Sequence, residues 1–471
     1  MKKEKLILIT SVLFLLISIF KPETTLACST FKLQKGNELI YGHNLNEGDI
    51  DVPGMIFINK RGIFKNGRTW SEIKNKNREN PSTFSWISRY GSVTFNFSGK
   101  DLPDGGMNEA GLYIWEMNEE ADYPQNDSLP KLMHMNWMQF VLDNYSTLEE
   151  AVQSASMFQI DGWTWHYFIS DSKGDCASLA FINGKVKVNR GSDMPVPALF
   201  NTPYDREMEL LKYYKGFGGF YDIELNNSKV PRFVKTAAMI RDYDPAVNAV
   251  DYGFEMLKNI TVNDEPEWSV IFDAKRMDVY FKTRTNPEIK HFSMNSCDFT
   301  NNSPVLILDI AIPNAGEIFD QFKPYSNADM KAFIETKVLS VIPEEFYGSG
   351  GLSAAEFADR LSSHTDSAAV QKNQYFAGTW KNKTEKPDDM VITVRLWTEK
   401  NAVYGEVSNS KWAGPALTAD HLNLQGNKLV FTFKTASGTV LEVQALLDGN
   451  QMQIHLQGIE DDFGKMALLR Q

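Results

Sequence analysis

Thr24-Thr25-Leu26-Ala27-Cys28-Ser29-Thr30-Phe31 decides how this chain is read, because a targeting segment ends where a candidate catalytic strand begins. Upstream stand Lys2, Lys3 and Lys5, then an apolar run from Leu6 to Phe20, then polar Lys21-Pro22-Glu23 before Ala27. This is the pattern of a secretory signal, with an apolar run shorter than the roughly 20 residues of a spanning helix. Removal of residues 1–27 makes Cys28 the mature N-terminus. A cysteine there carries a thiol and a free α-amine on one residue, so nucleophile and general base are tethered together.

Downstream, Phe31 and Leu33 alternate before the turn Gln34-Lys35-Gly36-Asn37, and Leu39-Ile40-Tyr41 returns. A tight hairpin there places residues 43–45 opposite Cys28. Gly42-His43-Asn44-Leu45-Asn46 is therefore the first polar cluster delivered to the thiol. Near neutral pH an α-amine (about 7.7–8.0) and a thiol (about 8.5) exchange a proton at little cost. Acyl transfer then needs oxyanion donors and a cation that favours thiolate.

Composition narrows the classes. The leader holds four lysines and two glutamates, so its loss leaves 444 residues at a net charge of −14, a poor match for nucleic acid. The expected setting is exported, periplasmic or extracellular, without an integral membrane segment. Three cysteines are an odd number for an exported chain, and Cys28 is the candidate for the reactive one. Cys176 and Cys297 remain open between a bridge and buried thiols. The histidines at 43, 134, 166, 291, 364, 421 and 455 show no metal-ligand spacing, so no metal and no cofactor is expected.

Farther along, a strand pair is expected around Lys60-Arg61-Gly62, and a turn-rich link over Asp104–Gly111 leads into the strand Leu112–Trp115. Helices are expected over Leu132–Leu142 and from a capping box of Ser146 with Glu149. A meander follows over Trp165–Val188, then helices at Arg206–Tyr214 and Pro231–Arg241, then strands at Glu267–Phe272 and Asp278–Thr283. Strands and helices segregate, so the body is α+β. Helices over Ser326–Val341 and Ala354–Leu361 precede seven short alternating strands that read as a small barrel or sandwich. The expected division is 1–27 signal, 28–325 catalytic domain, 326–372 helical connector and 373–471 all-β domain.

Taken together, Cys28-Ser29-Thr30, Gly42-His43-Asn44-Leu45-Asn46, Gly106-Met107-Asn108-Glu109-Ala110-Gly111-Leu112, Asn201-Thr202-Pro203 and Pro231-Arg232-Phe233-Val234 resemble the choloylglycine hydrolase and penicillin V acylase family. The resemblance spans residues 28 to about 310, and its order and spacing carry more weight than any one piece. It implies an αββα N-terminal nucleophile hydrolase whose cysteine cleaves a linear amide through a thioester. It further implies Cys28 as nucleophile and base, Asn118 at the oxyanion hole, Asn201 orienting the amine or the oxyanion, and Arg232 as the cation near the thiol. Two positions depart from the family's usual Gly-Arg-Asn-x-Asp: His43 stands for the arginine and Asn46 for the aspartate. An imidazole is cationic only below about pH 6.5, so a pH-dependent thiolate is expected.

The expected activity is hydrolysis of an N-acyl amide in a small amphipathic molecule, with oligomeric state open to a homo-oligomer. Within enzymes the alternative is an N-terminal-cysteine dipeptidase or acyltransferase. Outside them it is a lipid-anchored, non-catalytic surface binding protein. Thr25 and Leu26 fit a lipobox poorly, which favours the enzyme.

Overall fold

The computed structural model describes residues 28–46, 51–82, 84–261 and 266–362, together with 378–382, 390–399, 402–411, 417–425, 428–434, 438, 440–448, 451–457 and 465–470. The leader and the 363–372 part of the expected connector lie outside the described residues.

Two sheets stack face to face. One has seven strands in the order Ala198–Phe200, Ser29–Lys35, Glu38–Leu45, Trp268–Asp273, Asp278–Thr283, Lys290–Ser293 and Gly316–Glu317. The other has nine: Lys185–Arg190, Cys176–Ile182, Trp165–Ser170, Tyr113–Asn118, Gly105–Asn108, Ser92–Asn96, Met55–Asn59, Leu306–Asp309 and Lys323–Pro324. Alternation along the strands fills the space between them. Tyr41 stacks on Tyr113 with ring centres 4.4 Å apart, and His43 stacks on Trp115 at 4.0 Å. The polar rims of these rings bond across the layer: Tyr41 donates to the Ser170 hydroxyl and the Asp171 carbonyl, and Tyr113 meets Thr30 Oγ1 at 3.0 Å.

Helices cover the outer faces, completing an αββα body. His134–Asn144 and Leu148–Ser154 lie on the nine-stranded sheet, with Trp137 set edge-on to Tyr167. The second of these is capped one residue later than expected, by the reciprocal pair Thr147 and Glu150. Arg232–Asp242 and Ala249–Asn259 cover the seven-stranded sheet. The latter escapes the sequence reading although Asn248 caps it, accepting from the amides of Val250 and Asp251. Asn44 fastens it from below, donating to the Leu257 carbonyl at 2.9 Å and accepting from Ser269.

Other differences have local causes. Met55–Asn59 and Phe64–Asn66 do not pair with each other; the first joins the nine-stranded sheet and the second pairs with Ser85–Ile87. The expected link at Asp104–Gly111 contains the central strand Gly105–Asn108. Its glycines make room: a Cβ on Gly105 would stand 2.1 Å from the Trp115 ring, and one on Gly106 2.3 Å from the Val93 carbonyl oxygen. Cys176 and Cys297 are free thiols.

The helices Asn327–Thr336 and Ala354–Ser362 bury Met330, Phe333, Ile334, Phe357 and Leu361 against Phe57, Trp70, Met135 and Ile307. They are built into the sandwich body. The C-terminal region is a closed eight-stranded barrel of antiparallel neighbours, with Leu417–Gln425 as the strand the sequence reading lacks. Trp380, Phe431, Val443 and Ile454 are among the residues in its core. Among the described residues no helix is long and apolar enough to cross a membrane.

Candidate active site

Cys28 immediately precedes Ser29–Lys35, a strand flanked on both sides. Ser29 faces Phe200 on one neighbour and Asn44 on the other, so the next register positions place Cys28 between Asn201 and Leu45. The hairpin thus sets residues 44 and 45 beside the cysteine, as its turn length requires. Prolines 195 and 197 suit the other neighbour to its place at the sheet edge.

Arg232 begins its helix directly after Pro231, a residue whose fixed φ suits a helix entry. Its Nη1 donates to the Cys28 carbonyl at 3.3 Å, and its guanidinium lies 4.9 Å from the centre of the Phe200 ring. Burial lowers the arginine's pKa, while Cys28 and Glu207 pull it back up. Glu207 is itself raised by burial and lowered by Arg232 and Thr202. The cation the resemblance asks for is therefore present beside Cys28 and accompanied by a carboxylate that sequence reasoning missed.

Asn201 carries a side-chain oxygen and nitrogen that are both shielded from solvent and without a hydrogen-bond partner among the described residues. Such a group costs about 1–3 kcal/mol. An amide held in this way beside a nucleophile is ready to bind a reacting carbonyl or amine.

His43 and Asn46 occupy the neighbouring strand and its end, both buried. His43 is fully enclosed, with neither ring nitrogen hydrogen-bonded among the described residues, and burial holds its pKa well below the usual value. The expected pH-dependent cation is thus corrected: the ring facing Trp115 is neutral near pH 7, and the positive charge at Cys28 comes from Arg232.

Asn118 ends the strand Tyr113–Asn118 and helps line a cavity of about 310 Å³ whose wall includes Leu45, the register neighbour of Cys28. His166 ties this region to Asn201. Its Nε2 is 2.5 Å from the Phe200 carbonyl, and its Nδ1 pairs with Glu119, the residue after Asn118. The same cavity holds Asp104, whose buried carboxyl is pushed up to about 7 although it accepts from the Phe97 amide. Neither His166 nor Glu119 belongs to a local motif, and Asp104 was read only as the start of a turn-rich link, so the fold alone reveals their place here.

No family model matches the chain. A penicillin V acylase from Pectobacterium atrosepticum is 26% identical over 307 residues, covering 54% of this chain and 80% of that protein. The structure of penicillin V acylase from Agrobacterium tumefaciens superposes with a TM-score of 0.54 at 25% identity, over 64% of this chain and 98% of that one. The chain is similar to penicillin V acylases in sequence and in fold. A variant of conjugated bile acid hydrolase from Clostridium perfringens has a TM-score of 0.47 at 19% identity, over 60% and 96% of the two chains. The barrel and the helices before it add to the body that resembles the family in sequence.

Proposed function

We propose that the exported protein, cleaved after Ala27, hydrolyses the amide of a small amphipathic N-acyl substrate with Cys28 as N-terminal nucleophile. The observation that carries this reading is the meeting of Cys28, Arg232 and the unpartnered Asn201 amide at one strand end.

In this mechanism the free α-amine takes the thiol proton, and the thiolate attacks the amide carbonyl. Arg232 stabilises the thiolate, and the side-chain amides of Asn201 and Asn118 receive the developing oxyanion. The α-ammonium returns its proton to the nitrogen as the C–N bond breaks, leaving a thioester on Cys28. Water, deprotonated by the same amine, then releases the carboxylic acid. The N-terminal location of the amine requires removal of residues 1–27, so an exported, periplasmic or extracellular setting is part of the proposal.

Kinetics of variants test it. Cys28→Ser lowers kcat for N-acyl amides at least about a hundredfold, since a hydroxyl is a far weaker nucleophile than a thiolate at neutral pH. Cys28→Ala shows no turnover above background; wild-type rates in that variant end the proposal.

A further inference from the structure

Phe200 ends the strand Ala198–Phe200 at the edge of the seven-stranded sheet. The Lys32 amide donates to the Pro197 carbonyl across this edge pair. Ladder bonds alternate along antiparallel strands, so Thr30 and Leu199 form the next bonded pair, and at Phe200, opposite Ser29, the carbonyl points off the sheet. A buried carbonyl so placed needs a donor from elsewhere. His166 meets it from the other sheet, with Nε2 2.5 Å from the Phe200 oxygen, and its Nδ1 lies against the Glu119 carboxylate. A neutral imidazole carries one N–H, so a ring set between two acceptors shares a second proton with the carboxyl. The buried couple then has no net charge.

We propose that His166, steadied by Glu119, is a positioning residue that holds the Asn201 amide in place beside Cys28 for the developing oxyanion. The inference rests on the proposed hydrolysis and deepens its account of Asn201. Three observations support it. The oxygen that His166 holds belongs to the planar peptide unit joining Phe200 to Asn201, so fixing it fixes the plane from which the Asn201 side chain departs. The Asn201 side-chain oxygen and nitrogen have no hydrogen-bond partner among the described residues, so its own contacts do not orient it. Glu119 directly follows Asn118, which anchors the couple beside the second oxyanion donor, on the sheet opposite the strand that leads to Asn201. Placement matters because a shift of about 1 Å in a catalytic group lowers a rate by up to about 100-fold.

Steady-state kinetics of the processed protein test this on the N-acetyl, N-phenylacetyl and N-decanoyl amides of one amine, read on the fastest of them. His166→Phe lowers kcat at least about tenfold and leaves KM within about threefold, since a misplaced oxyanion donor weakens the transition state and spares ground-state binding. Asn201→Ala also lowers kcat at least about tenfold, and adding His166→Phe to it costs less than about threefold more, because the donor being positioned is gone. Glu119→Gln, whose amide gives Nδ1 an N–H of its own, retains most of the rate that Glu119→Ala loses. Thermal melts confirm that the variants fold; where His166→Phe does not, Glu119→Ala takes its place in the double variant. Wild-type kcat in His166→Phe, losses that multiply in the double variant, or equal losses in the two Glu119 variants overturn the positioning role and leave the hydrolase reading standing. Wild-type kcat in Asn201→Ala, or no turnover of any of the three amides by the parent, overturns the reading of the site itself and the positioning role with it.

Discussion

His43 sits where an arginine is usual in the family the chain resembles, yet its surroundings hold it neutral: full burial, a tryptophan face at 4.0 Å and no hydrogen bond to either nitrogen among the described residues. Its pKa is lowered on folding, so the unfolded chain binds the proton first as pH falls. Stability from this residue is therefore fully present above about pH 6.5 and declines as pH drops toward the folded value. His43→Phe keeps a ring over Trp115 and removes the titration. Measured by thermal melting, the variant's stability relative to wild type improves between pH 7.5 and pH 5, by about 2 kcal/mol at most. An equal difference at both values contradicts a neutral buried imidazole. This residue also marks a limit of sequence reading. The hairpin sets His43 opposite Thr30, two residues from Cys28, but its charge depends on burial beneath Trp115, which reaches it across the sandwich from the other sheet.

At the scale of elements, the strand Gly105–Asn108 shows how packing overrides local preference. Two adjacent glycines read as a turn, and the body needs them because Trp115 and the Val93 carbonyl oxygen occupy the space a Cβ would take. Gly105→Ala forces the indole from its place beside His43 and costs about 1–3 kcal/mol of overpacking, measured by urea unfolding. A loss below about 0.5 kcal/mol would show that the indole yields freely. The hairpin, the meander and the helix begun by Arg232 were legible because turn residues and a proline punctuate them. The helix Ala249–Asn259 was not, since its amphipathic face includes Gly253, which lets the backbone approach Ile271 and Ile40. The pairing of Met55–Asn59 with distant Ser92–Asn96 likewise leaves no mark in either segment.

Across the whole molecule, the family-like body supplies the cysteine, the asparagines and the arginine, and the helices after residue 326 add a wall to the neighbouring cavity. The α+β class and the separate β-rich C-terminal region were visible in the spacing of elements. The building of those helices into the body was not, because their partners Phe57, Trp70 and Met135 lie hundreds of residues earlier. In the proposed mechanism everything chemical depends on one event at the start of the chain, the exposure of the Cys28 amine. The most direct measurement is therefore mass spectrometry of the exported protein, acid-quenched during turnover of an N-phenylacetyl amide. The account predicts an N-terminal peptide beginning at Cys28, free of lipid, with a fraction carrying one phenylacetyl group as a thioester on its sulfur. A diacylglycerol adduct at Cys28, or turnover by a chain that still retains residues before it, would contradict the account.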